Sequence, residues 1–221
     1  FRDALAGGVT TVVTGPGSAN IIGGEMVAMK TRGTVVDDMI VKFPVGLKAA
    51  LGENPKRNYG RDKKSPATRM ASAAIIREAL VQGSEYLKKE SPERDLKMES
   101  IGRVLRKEVP LRVHAHRADD IMTAVRIARE FDINLVIEHC TEGHIVAGRL
   151  AEKNIPAVVG PVITNRAKVE MQGLTLETAR VMAECGVLFA IMTDHPVVPV
   201  QYLAASAALA VKGGLPEEHA L

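Results

Sequence analysis

Imidazole and carboxylate groups are the ligands that zinc and similar divalent ions take, and in this chain they stand at the ends of apolar runs. Three segments matter: Val113-His114-Ala115-His116, Glu138-His139-Cys140 and Met192-Thr193-Asp194-His195. Aliphatic or β-branched stretches precede them, at 111–113, 135–137 and 187–191, so each segment reads as the last residues of a buried strand. In an α/β barrel such C-terminal strand ends share one face, and that face carries the chemistry. His114, His139 and Asp194 converging there make a divalent-metal constellation, completed by an activated water. His116 shares the inward parity of His114 and is expected to touch substrate or support a ligand. His195 follows Asp194 directly and is placed to orient it or to touch substrate. His144 is weighed between an ordinary helix-start residue and a functional one, and His219 is expected to be exposed. Cys140 reads as a small packing residue, because a metal-activated water already supplies the nucleophile.

Those ends need elements behind them. Residues 9–14 (VTTVVT) predict a strand, followed by the Gly-rich loop GPGSANIIGG. Its spacing does not follow GxGxxG, and Pro16 removes a backbone donor. A βα loop shaping a pocket at a barrel mouth is therefore preferred to a phosphate cradle. Residues 34–43 and 46–51 predict two further extended segments, and 56–64 (KRNYGRDKK) a long polar loop. Met70, Ala73, Ala74, Ile76, Leu80 and Leu87 recur at helical spacing within 66–87. Ser91-Pro92-Glu93-Arg94-Asp95 opens another helix carrying Leu96, Ile101, Val104 and Leu105. From residue 109 the alternation is regular, with strands over 111–115, 134–139, 157–163 and 187–193. Helices are predicted over 119–131, 144–153, 176–185 and 200–211, and the βαβ rhythm makes the strands parallel. Seven strands with intervening helices is one short of a (β/α)8 TIM-type barrel, the fold class expected here.

Composition agrees. A chain of 221 residues that is 46% hydrophobic can bury one sizeable core. Aromatics are 3% and Trp is absent, so that core is aliphatic, which suits helices packed on a parallel sheet better than a sandwich. The net charge of +3 comes from basic residues scattered among acids, which argues against a nucleic-acid partner. The sequence contains neither an apolar run of about 18 residues nor a signal-peptide pattern, so no membrane partner is expected. Cys140 and Cys185 follow no CxxC spacing, and the cytoplasm is the default location. Residues 1–6 read as the last turn of a helix and Leu215-Pro216-Glu217-Glu218 as the start of one. The chain is therefore expected to be the middle of a longer protein.

With these segments in place, the chain resembles the amidohydrolase superfamily, most closely its imidazolonepropionase-like branch. The resemblance rests on GGVTTVVTGPGSANIIGGE, GLKAALGENPKRNYG, VHAHRADDI, IEHCTEGH and AIMTDHPV. It implies a distorted (β/α)8 barrel beside a small β-sandwich built from both termini. It also implies one or two divalent ions, zinc foremost, at the C-terminal mouth of the barrel. Residue by residue, it implies His114 as the ligand of the fifth barrel strand and His139 as that of the sixth. Asp194 resembles the eighth-strand aspartate, which contacts metal and takes the proton from the attacking water. Lys48 stands where two-metal relatives carry a carboxylated lysine, and Glu53 is a nearby carboxylate able to fill the same bridging role. Alternation turns Lys48 inward with Ala50, and the two remain alternatives. The family's HxH pair at the end of strand one has no counterpart here. Residues 1–221 are therefore expected to form a partial barrel domain, about strands two to eight, without strand one and the flanking sandwich.

The implied reaction is attack of a metal-activated water on an amide or ring-amide carbon, a C–N bond hydrolysis. Asp194 would deliver the proton to the leaving nitrogen, and His139 would join the metal in facing the oxyanion. Arg117, Asn165, Arg166 and Lys168 fall in loops after the fifth and seventh barrel strands, and Arg57 and Arg61 after the fourth. That basic rim suits a substrate bearing a carboxylate. His116, Arg117, Asn165, Arg166 and His195 are the candidate substrate contacts. The expected partner is a small-molecule amide, and a homo-oligomer stays open. Two other classes compete: a barrel of this family kept as a catalytically inactive scaffold, and a nucleotide-binding protein using the Gly-rich loop.

Overall fold

In the computed structural model, which describes residues 1–221, seven strands form one sheet in chain order. They are β1 (Thr11–Thr14), β2 (Ile22–Lys30), β3 (Ile40–Ala50), β4 (Leu111–Ala115), β5 (Leu135–His139), β6 (Ala157–Val159) and β7 (Phe189–Ile191). Strands β3 to β7 are mutually parallel. The helices are α1 (Arg2–Ala6), α2 (Val36–Met39), α3 (Glu53–Arg61), α4 (Arg69–Leu87), α5 (Leu96–Leu105), α6 (Ala118–Glu130), α7 (Gly143–Glu152), α8 (Thr178–Glu184), α9 (Leu203–Lys212) and α10 (Glu217–Ala220). A single 3-10 turn, Val169–Met171, interrupts the long connection after β6.

Strand alternation divides the parallel region into two faces. Leu47, Ala49, Leu111, Val113, Leu135, Ile137, Ala157 and Val159 pack with Ile76, Leu80, Ile101, Val104, Ile121 and Val125 of the helices, forming the aliphatic core. The residues between them, Lys48, Arg112, His114 and Glu138, take the other face, where Lys48 lies opposite Arg112 and His114 opposite Glu138. The sheet is curled around that second face. Lys48 on β3 and the carboxylate of Asp194, just beyond β7, act on each other's charge. Four strand spacings, about 19 Å in a flat sheet, would otherwise hold them apart. The expected fold class is thus found as a seven-stranded partial barrel of mixed α/β type.

The N-terminal third departs from expectation. Thr11–Thr14 is a strand, but it runs antiparallel to β2, which in turn runs antiparallel to β3. A β-branched run marks a strand and says nothing of its partner's direction. GPGSANIIGG is consequently the connection of a hairpin and the start of β2, not a βα loop, and Gly23 and Gly24 lie within the strand. Residues 34–43 and 46–51 are a four-residue helix followed by one continuous strand, β3. Residues 56–64 are mostly helix, the body of α3. The strand expected over 157–163 ends at Val159, where Gly160 takes a positive φ of 145°.

Candidate metal centre

Local backbone geometry builds the site. His114 lies on the inner face of β4 by simple alternation, and His116 follows just beyond the strand. His139 has the parity of Leu135 and Ile137, which face the helices, so a regular strand would send it into the aliphatic core. It does not go there. His139 has φ 73° and Cys140 φ 48°, left-handed values that cost a non-glycine residue about 1–2 kcal/mol. The result places the His139 ring 4.3 Å from that of His114 and 4.5 Å from that of His116, centroid to centroid, while Cys140 joins the core. Such strain gathers at functional sites.

His114, His116 and His139 each offer a ligand atom, and those atoms all lie within 4.8 Å of one another. All three rings are buried. Burial first, then neighbouring positive charge, holds His114 and His139 well below the usual imidazole range. Burial likewise brings His116 down to about 4, against the opposing pull of Glu170. The three are therefore neutral at pH 7, as metal ligation requires. His139 Nδ1 lies 3.0 Å from the Gly160 carbonyl, which can only accept, so its proton sits on Nδ1 and its Nε2 carries a lone pair. His116 Nδ1 lies 2.7 Å from Thr141 Oγ1.

Four buried side-chain atoms lack a hydrogen-bond partner, and three of them, His114 Nδ1, Glu170 Oε1 and Glu53 Oε2, belong to this neighbourhood. Native interiors rarely leave such groups unpaired without a reason. The two orphaned carboxylate oxygens, beside a cluster of imidazoles, fit a divalent cation.

Asp194 also has a left-handed φ, 54°, and its Oδ2 lies 3.9 Å from His139 Nδ1. Burial pushes its carboxyl up to about 6, partly offset by Lys48 and Lys168. Lys48 is buried on β3, and burial lowers its amine against the opposing charges of Glu138 and Asp194. The inward direction expected for Lys48 is the observed one. Glu53 starts α3, where its Oε1 stands 3.5 Å from Arg57 and its backbone amide donates to Glu170 Oε2 at 2.8 Å.

The expected substrate contacts divide. His116, read as a substrate contact, lies within the group of potential ligands itself. Arg117 is engaged by Asp119 at 3.0 Å. Asn165 accepts from the Ala167 amide, and Arg166 donates to the Leu174 carbonyl, both within their own exposed loop. His195 is exposed. Lys168 does reach the site, donating to Asn54 Oδ1 at 2.7 Å, while Asn54 Nδ2 lies 3.4 Å from His114 Nε2. His144 bonds Thr178 at the start of α7. The thiol of Cys140 is fully buried and pushed up to about 12, which leaves it inert.

Sequence reasoning passed over Glu170, Asn54 and Glu138. Glu138 is buried and held by Arg112 at 2.6 Å, a pairing that i, i+2 alternation on adjacent strands could have suggested. Glu170 sits on an irregular turn with no periodicity to announce it.

The fold has a close counterpart among solved structures. A crystal structure of an amidohydrolase from Thermotoga maritima MSB8 superposes with a TM-score of 0.97 at 50% identity, over 99% of this chain. The resemblance to the amidohydrolase superfamily holds. Amidohydrolase tasK of Hapsidospora irregularis is 26% identical over 250 residues, which takes in 98% of this chain. No family model matches. The amidohydrolase-like chain spans 60% of the Thermotoga chain and 25% of the fungal protein.

Proposed function

We propose that the chain carries the metal centre of a hydrolase that cleaves C–N bonds of amides or cyclic amides, of the imidazolonepropionase-like kind. The observation that carries this reading is the buried, neutral trio of His114, His116 and His139, with the basic carboxylate of Asp194 beside it. These histidines would hold a divalent ion, zinc foremost, with Lys48 or Glu53 as candidates for bridging a second. Bound there, such an ion supplies an acidified water at neutral pH and polarises a carbonyl.

The chain's own residues do the rest. Asp194, at about 6, is ionised at pH 7 yet basic enough to accept a proton and pass it to a leaving nitrogen. With its proton fixed on Nδ1 by Gly160, His139 presents a lone pair to the cluster, so it serves as a ligand in preference to an oxyanion donor. Gly160 and Thr141 hold two of the rings in the orientation ligation needs. Lys168, positioned by Asn54, is the cation best placed at this site to meet a substrate carboxylate.

The test uses the full-length protein. Metal content after purification should approach one or two divalent ions per chain, and chelation should abolish hydrolysis of a panel of cyclic amides, imidazolone-type rings and dipeptides, with recovery on adding zinc. Full activity after complete metal removal would overturn the reading.

A further inference from the structure

Glu170 has two oxygens in two different situations. Oε2 accepts the backbone amide of Glu53 at 2.8 Å, which ties the turn after β6 to the start of α3. The chain makes room for it: Gly52 has φ 80°, and a Cβ there would stand 2.7 Å from Oε2. Oε1 accepts no hydrogen bond at all, although Glu170 is fully buried. It lies 3.7 Å from His114 Nε2, 3.8 Å from His116 Nε2 and 3.8 Å from Lys168 Nζ.

A pure helix cap would not need this second oxygen aimed at two imidazoles. None of the three contacts is close enough to be a hydrogen bond, so neither ring nor the Lys168 ammonium satisfies this oxygen directly. Ligand bonds of 2.0–2.2 Å to one five-coordinate ion, which keeps a position for water beside the three histidines and Glu170, set neighbouring donors roughly 3.0–3.6 Å apart. The observed separations are close to that range.

We propose that Glu170 Oε1 is an anionic donor of the metal centre, joining His114 and His116, while Oε2 stays locked to α3. The proposal rests on the metal-centre reading above and adds a ligand that no strand end supplies. It also gives α3 a role: its first amide fixes which carboxylate oxygen faces the ion.

The experiment is a metal titration of the full-length, metal-free protein and its Glu170→Gln variant, using Zn²⁺ against a chromogenic chelator and Co²⁺ by visible absorption. Glutamine keeps a carbonyl for the Glu53 amide, so the melting temperature of the metal-free variant should stay near that of the parent. Zinc affinity should fall about 10–100-fold, and the Co²⁺ bands should shift as a carboxylate leaves the ligand field. Parent-like affinity with unchanged bands would overturn the proposal while leaving the metal centre intact. A parent protein that takes up no metal would instead bring down the functional reading and this proposal with it. If the glutamine variant does not fold, Glu170→Asp answers: its retracted carboxylate weakens affinity and moves the bands if Oε1 is a donor, and unchanged values sink the idea.

Discussion

Asp194 is the residue where pH and chemistry meet. Its carboxyl is pushed up to about 6 by burial, and its side chain is still 39% exposed at the mouth of the site. The folded protein thus holds this proton more tightly than the unfolded chain does. Its contribution to stability is present at low pH and is lost as pH rises from about 4 to about 6. Asp194→Asn keeps the shape and removes the charge, so at pH 8 the variant should melt no lower than the parent. Turnover should fall by the general-base contribution, about 10²–10⁴-fold. Steady-state kinetics with calorimetry on the full-length protein checks both, and unchanged turnover would remove Asp194 from proton transfer. His114, His139 and Asp194 were legible in the sequence because each ends an apolar run. Glu170 was not, because a lone glutamate in an irregular turn shows its burial only once β6, α3 and the histidines have come together.

At the scale of elements, alternation and helical periodicity served wherever a face is buried. From β4 onward the elements lie close to the stretches predicted for them, and β4 itself covers the expected residues. The failures have physical causes. β2 carries Gly-Gly and Glu25 in a half-buried stretch, which blurs the period of two. α3 buries only Pro55, so its polar sequence has no apolar stripe to betray a helix. Proline is tolerated there because the first helical turn leaves its amides free. Glycine context separates two superficially alike substitutions. Gly148 lies in α7 with nothing within 4 Å of a Cβ, so Gly148→Ala should stabilise by about 0.5–1 kcal/mol. Gly52 has φ 80°, and its Cβ would stand 2.7 Å from Glu170 Oε2 and 3.2 Å from Asp120 Oδ2. Gly52→Ala should cost about 2 kcal/mol or more, from the left-handed backbone and the displaced carboxylates together. Thermal melts should show opposite shifts, at roughly 2–4 °C per kcal/mol. Equal shifts would mean that the Gly52 turn relaxes freely.

For the whole molecule, the histidine cluster makes stability depend on acid. No helix is long and apolar enough to cross a membrane. His116 is brought down to about 4, and His114 and His139 lie well below the ordinary 6.5. An unfolded chain takes up these protons near pH 6.5, whereas the folded protein refuses them. Stability is therefore complete above about pH 6.5 and lost progressively as pH falls toward 4. Three buried rings that resist protonation all act in this one sense, against a total stability of only ~5–15 kcal/mol. Asp194 acts in the opposite sense over about pH 4–6, but one partly exposed carboxyl does not cancel three buried rings. Metal-free protein should therefore lose stability progressively as pH falls below about 6.5. Loading with zinc should move that loss to lower pH, because the ion binds only deprotonated imidazoles in the folded state. His116→Gln should flatten the profile by about one proton. Circular dichroism from pH 8 to 4, with and without zinc, reads all three effects. A denaturant midpoint that stays constant from pH 7.5 to 5 without metal would show that the cluster is not held neutral by burial, and the ligand set would have to be redrawn.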